Sequence, residues 1–250
     1  VKRLLTLVLL LLLVQPAAGQ GDTETIFAEA NAAYAGGDYR AAIRLYTDLI
    51  QNGVNQDGAV FFNLGNAYYQ SGDAGRAMVN YRRAQMFIPR DGDLNQNIGR
   101  VRAERVDLES DETGLLEGLA GVTTSILTAG ELAWLVWSLW LIGFGLMSAA
   151  IVRPAWREVL RPVLIVVGLA AFIGIVLLTG RLAASRLRPP AVVVVKTVPV
   201  MSGPGTQYLE LFELHAAAEV TVVDTRGEWT RFHLPDGREG WIPDAAMERV

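Results

Sequence analysis

The sequence predicts a multidomain chain of mixed class, with an α-helical repeat stack, two transmembrane helices and a small β-barrel. Three observations predict it. Residues near the N-terminus recur at an offset of 35, as in Asn31/Asn66, Gly37/Gly72, Ala42/Ala77 and Tyr46/Tyr81. Two runs in the middle, 132–152 and 162–180, contain no charged residue. After Pro189-Pro190, short β-rich runs alternate with turns of Gly, Pro and Asp. Composition agrees: 51% of the 250 residues are hydrophobic and 19% charged, against about 25% charged in soluble domains. Mean hydropathy is +0.28. A net charge of −4 lacks the basic footprint of a nucleic-acid binder. There is no cysteine, so disulfides and thiolate chemistry are excluded. Two histidines, His215 and His233, leave little material for catalysis, and no cofactor or metal site is expected.

In chain order, 1–19 reads as a secretory signal peptide. Lys2 and Arg3 precede a short apolar run and small residues. Ala17 and Gly19 fit the −3 and −1 positions, so cleavage after Gly19 is expected, with an uncleaved anchor as the alternative.

Residues 23–105 hold the repeat, in about two and a half copies. The second copy reads Phe61-x-x-Leu64-Gly65-x-x-Tyr68, then Gly72-Asp73, Ala77, Tyr81, Ala84 and Pro89. In the first copy Glu29 and Ala30 stand in place of Leu64 and Gly65, and Ile98-Gly99 returns 34 residues after that pair. Gly65, Ala77 and Ala84 let paired helices approach, while Leu64, Tyr68 and Tyr81 fill the space around them. Gly37 and Gly72 suit the left-handed end of a helix. The pattern resembles the tetratricopeptide repeat, a helix-turn-helix unit that buries its apolar face only by stacking. The resemblance implies a concave peptide groove lined by Phe27, Asn31 and Tyr34 in the first copy and Phe62, Asn66 and Tyr69 in the second. Some family members clamp a peptide's carboxylate with a Lys, but Phe27 and Phe62 stand in that place here.

Residues 106–130 form an acidic linker. Leu115, Leu119, Val122 and Ile126 fall at helical spacing, as in an amphipathic helix lying on a membrane. Two transmembrane helices are expected at 131–152 and 162–180, since the charge-free runs reach roughly 32 and 28 Å at helical rise. Trp134, Trp137 and Trp140 suit interfacial anchors. In the loop 153–161, Arg153, Arg157 and Arg161 face one acid, Glu158, whereas Glu109, Asp111, Glu112, Glu117 and Glu131 precede the first run. The positive-inside rule therefore puts this loop in the cytoplasm and both large parts outside. Arg181, Arg186 and Arg188, after the second run, argue the other way. The expected location is a bacterial cytoplasmic membrane, with the repeat and β parts periplasmic.

Residues 190–250 carry β-rich runs at 191–195, 219–223 and 230–234. Val200-x-Ser202-Gly203-Pro204-Gly205, Glu228-Trp229, Asp236-Gly237-Arg238 and Glu239-Gly240-Trp241-Ile242 resemble a bacterial SH3-like domain. The resemblance implies a small barrel that binds cell-wall peptides or protein segments, with Trp229 and Trp241 as surface candidates. Met201 stands where that family usually has Arg. His215 and His233 read as structural or solvated. Gly203-Pro204-Gly205 lacks the strand-loop-helix context of a dinucleotide loop. No nucleophile-base pair or carboxylate cluster is visible, so no enzyme is expected.

The order of parts resembles the BatE-like tetratricopeptide proteins of the Bacteroides aerotolerance operon. That resemblance implies an envelope stress setting, with von Willebrand A-domain membrane proteins and a MoxR-type ATPase as associated partners. Two functions follow as expectations: a membrane-anchored scaffold that binds protein partners through the groove, or a peptidoglycan sensor acting through the SH3-like domain.

Overall fold

The computed structural model describes residues 20–107 and 127–250. The expected signal peptide, 1–19, and the linker positions Leu115, Leu119, Val122 and Ile126 lie outside the described residues. The described chain is helical, with a C-terminal antiparallel sheet and two apolar helices. It divides into two compact units, 1–55 and 56–250.

In the first unit, α1 (Gln20–Ala35) and α2 (Tyr39–Gln51) form a helix hairpin. The chain turns at Gly37, whose φ of 78° is the left-handed conformation that glycine adopts without strain. Asp38 then caps α2 by accepting from the Ala41 N–H. Ala30, Ala42, Tyr46 and Leu49 are buried.

The second unit begins with the same arrangement. Helices α3 (Gly58–Gln70) and α4 (Ala74–Gln85) form a hairpin through Gly72, and α5 (Gly92–Glu104) packs on α4. Asp57, Asp73 and Asp91 cap the three helices through backbone N–H groups of Ala59, Arg76 and Leu94. The expected close approach is seen at Gly65, where a Cβ would lie 2.6 Å from the Tyr81 ring. Leu64, Ala67, Ala77, Met78, Tyr81, Leu94 and Ile98 form the buried interior.

Helices α6 (Ala129–Val152) and α7 (Arg157–Leu187) pack against each other and are long and apolar enough to cross a membrane. Both extend beyond the charge-free runs. A capping box of Thr128 and Glu131 starts α6. Helix α7 begins at Arg157, upstream of Pro162, and ends seven residues after Gly180. Charge is tolerated in a helix, so composition marks the apolar stretch and not the helix ends. Trp134, Trp137 and Trp140 are exposed, with the first two rings edge-on at 5.7 Å.

Seven strands make the C-terminal sheet: β1 (Pro190–Val193), β2 (Thr197–Met201), β3 (Glu210–His215), β4 (Glu219–Arg226), β5 (Trp229–His233), β6 (Glu239–Pro243) and β7 (Met247–Arg249). Their order is β3-β2-β6-β5-β4-β1-β7, and every pairing is antiparallel. Alternate residues point to opposite faces. One face contributes Val198, Val200, Leu214, Val220, Phe232 and Ile242 to a single core. The three β-rich runs of the sequence correspond to β1, β4 and β5. The remaining strands are short or interrupted by Pro199, the acids of β3 and Gly240, which weakens their β signal.

Candidate binding surfaces

The expected groove residues divide between the two units. In the first, the Tyr46 hydroxyl donates to Asn31 Oδ1 at 2.6 Å, and Phe27 meets the Tyr46 ring edge-on at 6.1 Å. Tyr34 is half-buried against Tyr39, with centroids 5.5 Å apart. In the second, the Tyr81 hydroxyl donates to Asn66 Oδ1 at 2.8 Å, and Phe62 lies 6.1 Å from the Tyr81 ring. Each Asn thus accepts from a buried tyrosine of its hairpin's second helix. This contact locks a hairpin together, so Asn and Phe have a structural role beside any role in binding.

The second unit adds a third helix to this face. Asn97 of α5 donates to Asn66 Oδ1 at 2.9 Å, and the Tyr69 hydroxyl donates to the Glu104 carboxylate at 2.8 Å. With both lone pairs of Asn66 Oδ1 engaged, its Nδ2 still has donor capacity to offer. Phe62, Asn66 and Tyr69 are half-buried, and the face combines aromatic surface with fixed polar groups. Such a surface suits an extended peptide, whose carbonyls need donors and whose side chains need apolar contact.

The C-terminal sheet is joined to these helices by a charged junction that the sequence reading did not single out. Glu219, at the start of β4, has a side chain only 14% exposed. Arg82 Nε donates to its Oε1, Arg102 Nε donates to its Oε2 at 2.7 Å, and Arg105 Nη1 lies 3.6 Å from Oε2. Burial alone would raise this carboxyl's pKa, but Arg82 and Arg102 outweigh it and hold the group below its ordinary value. Glu248 of β7 pairs with Arg76 Nε at 3.2 Å and with Arg83 Nη2 at 3.8 Å. Arg83 Nη2 also donates to the Arg249 carbonyl at 2.7 Å, and burial lowers its pKa. Between these pairs, α4 meets the sheet at Gly75. A Cβ there would lie 2.6 Å from the Val193 carbonyl oxygen and 2.7 Å from Val194 Cα. Three residues beyond α5, Asp107 accepts from the His215 backbone N–H at 2.7 Å and lies 3.2 Å from its ring Nδ1. His215 therefore has a structural setting, and His233 is exposed. The available sequence signal was the basic series Arg76, Arg82, Arg83, Arg102 and Arg105, of which Arg76 also pairs locally with Asp73 at 2.8 Å.

The two aromatic candidates of the sheet differ. Trp241 is only 7% exposed, with the Arg226 guanidinium 5.3 Å from its ring centre. Trp229 is half-buried. The exposed large apolar side chains of the sheet are, besides Val223 of β4, around β3, at Tyr208, Leu209 and Leu211, with Leu209 71% exposed. This is the sheet edge opposite β7.

Among the described residues, no three His, Cys, Asp or Glu side chains gather in a group that could hold a metal ion. No family model matches the chain, and no curated protein matches it.

Proposed function

We propose that the chain is a membrane-anchored, extracytoplasmic scaffold of the BatE-like kind, which binds protein partners through a tetratricopeptide groove. In this reading the two helix hairpins and α5 are the tetratricopeptide repeats, α6 and α7 are the transmembrane helices, and the seven-stranded sheet is an SH3-like domain. The observation that carries it is the face formed by Phe62, Asn66 and Tyr69 of α3 with Asn97 and Glu104 of α5, where part-buried and exposed hydrogen bonds fix the polar groups before any partner arrives. Preorganisation of this kind lowers the ordering cost of binding. The junction at Glu219 supports the same reading, because it holds the sheet against the repeat helices and presents both as one surface. The Arg-rich turn between α6 and α7 supports a cytoplasmic turn with the large parts periplasmic. Partners of the kind associated with this family, von Willebrand A-domain membrane proteins with a MoxR-type ATPase, belong to the proposal.

The test is crosslinked affinity purification from membranes, comparing the native chain with Tyr69→Ala. Tyr69 suits this test because its hydroxyl bonds an exposed carboxylate, whereas Asn66→Ala would also strip a buried tyrosine of its acceptor. Loss of a specific protein partner from the variant is the expected result. Recovery that is identical in both would remove the groove from the reading.

A second reading, a peptidoglycan-binding sensor, draws support from the exposed Tyr208, Leu209 and Leu211 at the β3 edge. It expects recovery of cell-wall fragments that Leu209→Asp abolishes and Tyr69→Ala leaves intact.

A further inference from the structure

The turn between the two apolar helices carries a second candidate site. Met147 and Ile151 of α6 and Leu164 and Ile165 of α7 line an open cleft of about 440 Å³, and Arg157 and Arg161 line it with them. Arg157 is fixed there, because its Nε donates to the Ala150 carbonyl at 3.0 Å. Neither Arg157 nor Arg161 forms an ion pair among the described residues. Glu158 also borders the cleft, but with Arg153 nearby the turn holds three arginines against one glutamate. Arg153 lies over the Trp156 ring at 5.0 Å, an aromatic-cation pair suited to the headgroup region. No side chain caps the start of α7 at Trp156, and the helix dipole there favours negative charge.

We propose that this cleft binds one anionic phospholipid, with its phosphate held between Arg157 and Arg161 and an acyl chain along Met147, Ile151, Leu164 and Ile165. The inference rests on the reading of α6 and α7 as membrane-spanning. Charge complementarity selects this occupant: a neutral tail alone would leave the arginines unmatched, and a free phosphate would leave the apolar wall exposed to water. Arginine presents paired N–H donors that match phosphate oxygens. Basic pockets between membrane helices hold lipid headgroups by this chemistry.

The experiment uses the full chain in detergent micelles. Native mass spectrometry measures binding of dioleoyl-phosphatidylglycerol, dioleoyl-phosphatidylcholine and glycerol 3-phosphate to the native chain, Arg161→Gln and Arg157→Gln/Arg161→Gln. The Arg161 side chain forms no hydrogen bond among the described residues, so its substitution leaves the turn intact. Phosphatidylglycerol should bind at least about tenfold more tightly than phosphatidylcholine, and Arg161→Gln should weaken it about fivefold. The double variant should lose most of the preference. Equal affinity for the two lipids would overturn the proposal, as would an unchanged Arg161→Gln. Competition by glycerol 3-phosphate at the same concentration as lipid would overturn it in favour of a soluble phosphate. Carbonate washing of membranes separates the two readings. A chain released by carbonate loses both, whereas a chain retained in the membrane without lipid preference loses this one alone.

Discussion

The two helix hairpins share several inner residues and differ on one outer side. Phe27, Asn31, Ala42 and Tyr46 recur as Phe62, Asn66, Ala77 and Tyr81, with the same Tyr-to-Asn hydrogen bond in each. The positions of α4 that meet the sheet do not recur. Gly75, Arg76, Arg82 and Arg83 stand where α2 has Arg40, Ala41, Thr47 and Asp48. Repetition therefore marks what each hairpin needs to hold itself together. Departure from repetition marks where one hairpin is committed to the sheet. The same subtraction on other repeat chains would locate docked faces from sequence, provided that the register is correct.

The largest test of this contrast is at Glu219. Glu219→Ala removes the mostly buried carboxylate that Arg82, Arg102 and Arg105 share, and should cost about 3 kcal/mol in denaturant unfolding of the chain in detergent. The matching pH effect follows from the lowered carboxyl pKa. A carboxyl that ionises below its ordinary 4.5 when folded contributes its full stability above that value, and loses it as pH falls through the folded value. Amide exchange in β1 and β4 should accelerate below about pH 4.5, while the hairpin interiors stay protected. Unchanged exchange across that range would show that the junction does not depend on Glu219.

A swap between the copies comes next. Gly75→Arg installs the first hairpin's residue against the Val193 carbonyl and should cost about 2 kcal/mol by overpacking, with β1 amides exposed. The reverse substitution, Arg40→Gly, should cost no more than about 1 kcal/mol, the helix penalty of glycine. Equal losses would erase the proposed difference between the two outer sides.

Smaller effects test the shared inner residues. Tyr81→Phe should cost about 1 kcal/mol through the lost hydrogen bond to Asn66. Tyr46→Phe should cost about half as much, because Asn31 is exposed and water replaces the lost donor. Thermal unfolding of the two variants side by side checks the order. The smallest change is expected for Tyr69→Phe, about 0.3 kcal/mol, since its Glu104 partner is exposed.

Much of the architecture was legible because its causes are local. The 35-residue offset, the left-handed turns at Gly37 and Gly72, the close approach at Gly65 and the charge-free runs all follow from neighbouring residues. Helix ends were less legible. Thr128 and Glu131 extend α6 before the apolar run, and α7 incorporates Arg157, Glu158 and Arg161. In the sheet, β3 and β6 carry too many polar residues or glycines to stand out before their partners are known. Of the candidate site residues, Phe62 and Tyr69 are half-buried beside Tyr81 and Glu104, while Asn66 bonds within the fold and Trp241 packs into it.

The sequence by itself determined the repeat, the hairpins, the apolar helices and the β character of the last sixty residues, because each depends on periodicity, turn chemistry or composition over a short span. Only the tertiary structure decided that Glu219 meets Arg82 and that Glu248 meets Arg76. Those partners stand 137 and 172 residues apart, and a charge on a helix surface carries no mark of the opposite charge that folding brings to it.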